Sequence, residues 1–121
     1  MLKLFYSPGS CALASHIALE ESGAAYETRR IDFGSAEQTK PEYLAINPKG
    51  RVPALMTERG ILTESPAILL YIAQSFPAAH LAPLADPFAL AKMQAFNIMS
   101  LVRLKPKLDL ISRKVSSISN R

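Results

Sequence analysis

Cys11 is the only cysteine in this 121-residue chain, and its setting suits a reactive thiol. The segment Tyr6-Ser7-Pro8-Gly9-Ser10-Cys11 ends an apolar stretch in a Pro-Gly turn and leads into a run with helical spacing. A thiol there faces the unpaired N–H groups and the positive dipole end of a helix, which favour the thiolate, the reactive form. A second candidate is Gly50-Arg51-Val52-Pro53-Ala54-Leu55. Proline at the entrance to a strand can take a cis peptide bond. A cis Val52–Pro53 bond would turn the Val52 N–H and C=O outward, free to pair with an extended peptide by strand addition. The third is Leu62-Thr63-Glu64-Ser65-Pro66-Ala67. Ser65 reads as a helix N-cap with Pro66 at the first helical position. That helix start would bind a carboxylate through Ser65 and backbone N–H groups, and Glu64 would receive an ammonium group. The pair suits an α-amino acid head group. Taken singly, each motif has a plainer account: a structural cysteine, an edge-strand proline, a helix cap.

The elements that must position these residues follow from periodicity and punctuation. Leu2 to Tyr6 reads as a buried strand stopped by Pro8-Gly9. Cys11 to about Ser22 reads as a helix, with Gly23 as its C-terminal stop. Tyr26 to Phe33 alternates as a second strand, and 34–39 reads as a polar loop. Pro41 to Ile46 forms a short helical turn, and Asn47-Pro48-Lys49-Gly50 a reverse turn. Val52 to Thr57 and Ile61 to Thr63 make a hairpin around Glu58-Arg59-Gly60. Glu64 to Ser75 is a helix offering Ile68, Leu69, Tyr71 and Ile72 to the core. A proline-containing linker and a further helix, about Pro87 to Arg103, follow. The order β-α-β-α-β-β-α followed by a short helical segment gives an α/β, thioredoxin-like plan. It divides the chain into a domain at 1–77, a linker at 78–86, and a helical segment with a basic tail at 87–121.

The three motifs, in this order and spacing, resemble the bacterial beta-class glutathione S-transferases. Ser7-Pro8-Gly9-Ser10-Cys11, Asn47-Pro48-Lys49-Gly50-Arg51-Val52-Pro53 and Leu62 to Ile72 with Glu64-Ser65 carry the resemblance, which extends over residues 1 to about 97. It implies glutathione as co-substrate and a small electrophile as its partner. By resemblance, Cys11 matches the cysteine that faces the glutathione sulfur. Val52 matches the residue whose backbone pairs with the cysteinyl part, and Pro53 the cis proline. Glu64 and Ser65 match the pair that holds the γ-glutamyl head. Asn97 matches an asparagine that helps bind glutathione, and Lys40 lies where the family uses a lysine, in a loop of different length. The family histidine seven residues beyond Asn97 is replaced by Leu104. The family's second, all-helical domain is represented only by its first helix.

Composition narrows the remaining classes. The formal charge of +4 comes from the tail. Residues 103–121 carry six basic side chains and one acid, whereas 1–102 carry eight basic and nine acidic. A nucleic-acid partner would therefore rest on the tail alone, and a solvated basic end is the simpler reading. Apolar runs fall short of the ~20 residues that span a bilayer, and the N-terminus has no signal-peptide pattern. One cysteine permits no internal disulfide; a cytoplasmic protein is expected. His16 and His80 lack partner patterns, and no ligand spacing suggests a metal. In the tail, Leu101, Leu104, Leu108, Ile111, Val115 and Ile118 recur at three and four, interrupted by Pro106. Residues 88–118 are thus expected to support a homo-oligomer or partner contact. The functional expectation is conjugation of glutathione to an electrophile, weakened by the missing helical domain. Two alternatives are a non-catalytic glutathione- or partner-binding module and a monothiol glutaredoxin-like redox protein.

Overall fold

The computed structural model describes residues 1–99. Pro106, Leu104 and the 101–118 seam lie outside the described residues. Four strands form one sheet in the order β2-β1-β3-β4. These are β1 Leu2–Tyr6, β2 Tyr26–Arg30, β3 Ala54–Thr57 and β4 Gly60–Thr63. Strand β1 pairs parallel with β2 and antiparallel with β3, and β4 returns antiparallel along β3. The helices are α1 Ala12–Ser22, α2 Pro41–Leu44, α3 Ser65–Ser75 and α4, residues 87–99. No described helix is long and apolar enough to cross a membrane.

The strand period of two splits the core into layers. Leu4 and Leu55 join Leu19 of α1 and Ile68 and Ile72 of α3 in one fully buried cluster. Their neighbours Phe5 and Ala54 point the other way and pack with Ile31 and Tyr43, the buried residue of α2. Helices α1 and α3 therefore share one face of the sheet and α2 covers the other. Strand β2 runs along an edge and exposes Glu27, Thr28, Arg29 and Arg30, three of them charged, which discourages further strand pairing.

Several boundaries differ from the sequence reading, each for a local reason. Strand β2 stops at Arg30 rather than Phe33, because side chains take over the backbone. Asp32 Oδ1 accepts the Gly34 N–H at 2.9 Å, and Glu37 Oε2 accepts the Asp32 N–H at 2.8 Å. The 34–39 loop is not unstructured: 3₁₀ turns at Phe33–Ser35 and Glu37–Thr39 join through a left-handed Ala36. Strand β3 begins at Ala54 rather than Val52, since Pro53 has no N–H for the ladder. Gly23, at φ 73°, closes α1 as read from the sequence.

The same loop carries an acid-sensitive element. The Asp32 N–H, then Arg29 at 2.6 Å, holds the Glu37 carboxyl below its ordinary value. The Ser35 hydroxyl and the Gly34 N–H do the same for Asp32. Both folded pKa values are depressed. Their contribution to stability is therefore present above the usual carboxylate range and is lost as pH falls through the folded values. Amide exchange measured against pH is expected to show 32–40 opening on acidification before the sheet does. Equal protection of loop and sheet down to global acid unfolding would contradict this.

Candidate active site

Sheet register brings the three sequence motifs to one end of the strands. Phe5 pairs with Ala54, and Ala54 with Thr63. One step further along each strand lie Tyr6, Pro53 and Glu64. Strand neighbours are about 4.8 Å apart, so these chain ends converge within roughly 10 Å. The turn from Tyr6 to Cys11 rises from β1, and α3 starts from β4, at this same end of the sheet. The parallel partner of Tyr6 is Arg30, which places the 31–40 loop there as well.

Cys11 is half-buried at the N-cap of α1. The helix start it heads is less open than the sequence suggests. Ser10 Oγ accepts the Ala12 N–H at 3.2 Å and donates to Ser7 O at 2.6 Å. The Leu13 N–H reaches Ser10 O at 3.3 Å. Two of the first backbone donors are thus engaged by Ser10, a role its sequence position as an ordinary turn residue did not announce.

The Val52–Pro53 peptide is cis. Val52 takes part in neither strand ladder, and Pro53 is buried. The approach to this pair is held by side chains that the sequence reading left unassigned. Arg51 O accepts two hydrogen bonds, from Tyr43 Oη at 2.5 Å and Asn47 Nδ2 at 2.9 Å. Asn47 is itself buried, and its Oδ1 accepts the Lys49 N–H at 3.1 Å, an Asx turn. Burial pushes the Tyr43 phenol up to about 12, so it remains a donor at ordinary pH. Tyr43→Phe leaves Arg51 O with one donor and is expected to cost about 1 kcal/mol in urea unfolding. A value near zero would mean that Asn47 alone holds the turn.

Glu64 and Ser65 require a correction. Ser65 is not the N-cap. Glu64 occupies that position at φ 72°, ψ 122°, and its carbonyl accepts the Ile68 N–H at 3.0 Å. Ser65 is the first helical residue and is buried, Pro66 is the second, and among the described residues no side chain caps the helix. A glutamate at positive φ is uncommon and marks a backbone held by its surroundings. The Glu64 side chain is exposed, and its Oε1 lies 2.5 Å from Lys49 Nζ. Lys49, which the sequence gives no individual role, thus ties the Asn47–Gly50 turn to the start of α3.

The remaining candidates stand apart. Lys40 is exposed, extended, and precedes α2. Asn97 lies half-buried on α4, where its hydrogen bond among the described residues is to Gln94 at 3.5 Å. His16 is half-buried between the rings of Tyr6 and Tyr26, at 5.6 and 5.8 Å, which accounts for it as a packed aromatic. Among the described residues no group of three or more His, Cys, Asp or Glu side chains could hold a metal ion.

Comparison with known proteins gives the family. The family described as glutathione S-transferase, N-terminal domain, matches residues 1–74. Glutathione S-transferase GstA of Escherichia coli O157:H7 is 47% identical over 78 residues, covering 63% of this chain and 39% of that protein. A glutathione transferase homologue from Sulfitobacter, solved with bound glutathione, superposes with a TM-score of 0.79 at 50% identity, over 85% of this chain and 49% of that one. A sphingomonad glutathione S-transferase complexed with glutathione gives 0.71 at 44% identity, over 78% and 48%. The chain spans about half the length of these proteins or less. The family match over residues 1–74, carried on a thioredoxin-like four-stranded sheet, makes this chain a member of the glutathione S-transferase family.

Proposed function

We propose that the end of the sheet carrying Cys11, Val52–Pro53 and Glu64–Ser65 binds glutathione and that the chain serves its conjugation to a small electrophile. The observation that carries this is the register alignment of Phe5, Ala54 and Thr63, which delivers three motifs to one place. The bound glutathione in the Sulfitobacter and sphingomonad relatives supports the ligand assignment. In this reading the Val52 main chain pairs with the cysteinyl residue, as a strand pairs with an edge. Glu64 receives the γ-glutamyl ammonium, and Ser65 with the first N–H groups of α3 takes its carboxylate. Asn97 and Lys40 contribute at the periphery. The sulfur lies toward Cys11 and the start of α1, where glutathione loses its thiol proton to solvent. The thiolate then attacks the electrophile, forming a C–S bond as the leaving group departs with its electron pair. The domain at 1–77 carries most of the glutathione contacts, the 78–86 linker leads away from it, and a cytoplasmic setting keeps Cys11 reduced.

The test is calorimetric titration of the 121-residue chain with glutathione, followed by turnover with a chloro-nitroaromatic compound. Saturable binding at one site per chain is expected, with chloride released in step with conjugate. Absence of glutathione binding would overturn the proposal. Binding without turnover would reduce the chain to a glutathione-binding module, and reduction of a disulfide by glutathione would favour the monothiol alternative.

The apolar surface of α4 supports a further part of the reading, association through residues 88–118. Phe88 is 74% exposed and Phe96 64%, and Ile98 and Met99 are exposed beside them. Each large apolar side chain left in water forgoes about 1.5–3 kcal/mol of burial, and contiguous exposure of that kind marks an association surface. Sedimentation of this chain is expected to show a dimer or larger species that Phe88→Ser with Phe96→Ser weakens. A monomer at every concentration would count against it.

A further inference from the structure

Lys49 bridges two of the site's segments. Its backbone N–H is fixed by the Asn47 side chain, and its ammonium reaches Glu64 Oε1 at 2.5 Å and Thr63 Oγ1 at 3.4 Å. One end of the bridge lies in the turn that leads to Val52–Pro53, the other at the start of α3. The carboxylate it engages is the group that would recognise a ligand ammonium. A lysine ammonium and an α-ammonium are both cationic hydrogen-bond donors seeking the same oxygens.

We infer that Lys49 is a specificity-determining residue of this site: by pairing with Glu64 in the ligand-free protein, it competes with the α-ammonium of a γ-glutamyl ligand and sets how strongly that ammonium is preferred. The inference rests on the glutathione reading given above. Binding the ligand either displaces Lys49 from Glu64 or crowds a second cation against it. Both reduce what the ligand gains from its own ammonium. The side chains of Lys49 and Glu64 are 53% and 63% exposed, so solvent screens the pair and the competition amounts to severalfold, not hundredfold.

The test uses the full chain as wild type, Lys49→Met, Glu64→Gln and the double variant. Methionine keeps much of the apolar stem and removes the charge. Each protein is titrated by calorimetry with glutathione and with glutaryl-cysteinyl-glycine, the same tripeptide lacking the α-amine. The ratio of the two affinities is the readout. If Lys49 merely props the two segments together, its loss weakens both ligands alike and leaves the ratio unmoved. Lys49→Met is expected to raise the preference for glutathione about three- to fivefold. In the Glu64→Gln background the same change is expected to leave the ratio as it was, because the contested carboxylate is gone. Binding of both ligands with a ratio that Lys49→Met leaves unchanged or lowers would overturn the role of Lys49 alone. Failure of both ligands to bind any of the four proteins would overturn the glutathione reading and this inference with it.

Discussion

Gly50→Val is expected to destabilise the chain by about 3 kcal/mol, lowering the thermal midpoint by roughly 10 °C. Two effects add at this position. Gly50 has φ 63°, where a β-branched residue is strained by about 1–2 kcal/mol. A Cβ there would also lie 2.9 Å from the backbone oxygen of Gln38, which belongs to the Glu37–Thr39 turn and cannot simply rotate aside. Gly23 is the natural control: its φ is 73°, yet a Cβ on it would meet nothing within 4 Å. Gly23→Val therefore isolates the conformational strain, and the excess cost of Gly50→Val measures the clash. Chemical denaturation of both variants gives the comparison. Equal losses would show that the 36–40 turn yields freely. The clash has a functional side as well, since Gly50 lies two residues before Val52. Pushing the turn away from Gln38 shifts the Arg51 carbonyl that Tyr43 and Asn47 hold. Weaker glutathione binding is expected in Gly50→Val, and no such change in Gly23→Val.

The parts of this fold that were legible in the sequence are those set by chemistry local to a few residues. The Pro8-Gly9 turn, the Gly23 stop, the hairpin around Glu58-Arg59-Gly60 and the apolar spacing of α3 each carry their own signal, and the elements lie within two residues of where it puts them. Misreadings arose where a side chain competes with the backbone over a short distance. Periodicity continues the second strand to Phe33. Asp32 and Glu37 end it at Arg30 by taking N–H groups into a turn. The capping pattern at α3 points one residue too late for a related reason. Serine before proline is a strong capping pattern. Here the Glu64 backbone adopts a positive φ and its carbonyl accepts the first helical bond, so Ser65 is already inside the helix. Nothing in the identity of a glutamate announces that conformation.

The candidate site was legible in its motifs but not in its supports. Cys11, Val52, Pro53, Glu64 and Ser65 could be named because their neighbours form recognisable turns and helix starts. Tyr43, Asn47 and Lys49 act across loops, over sequence distances that no period captures. Asn47 carried a usable signal, since Asn-Pro-Lys-Gly is a turn sequence in which the asparagine side chain commonly accepts a backbone N–H two residues on. The Tyr43 hydroxyl on Arg51 O and the Lys49 ammonium on Glu64 join residues eight and fifteen positions apart. They become visible only once the sheet has set its register.

Glu64→Ala is expected to weaken glutathione binding roughly ten- to hundredfold while leaving folding nearly intact. The binding loss follows from the charge-assisted hydrogen bond that the carboxylate offers to the γ-glutamyl ammonium, worth about 1.5–3 kcal/mol in a binding site. The ion pair with Lys49 adds little to that cost, because it is mostly exposed and of a kind that contributes about 0–1 kcal/mol. Alanine inherits the positive φ and so neither relieves nor adds much backbone strain. Ser65→Ala makes a separable comparison. With no side-chain cap on α3, its loss should spare the ~1 kcal/mol that a true N-cap would forfeit. Any effect on glutathione would then report a ligand contact directly. Calorimetric titration gives the affinities, and urea unfolding of the same preparations gives the stabilities. Unchanged affinity in both variants would leave Glu64 and Ser65 as residues that only shape the start of α3. A stability loss matching the affinity loss would mean that Glu64 holds the edge of the sheet together and not the ligand.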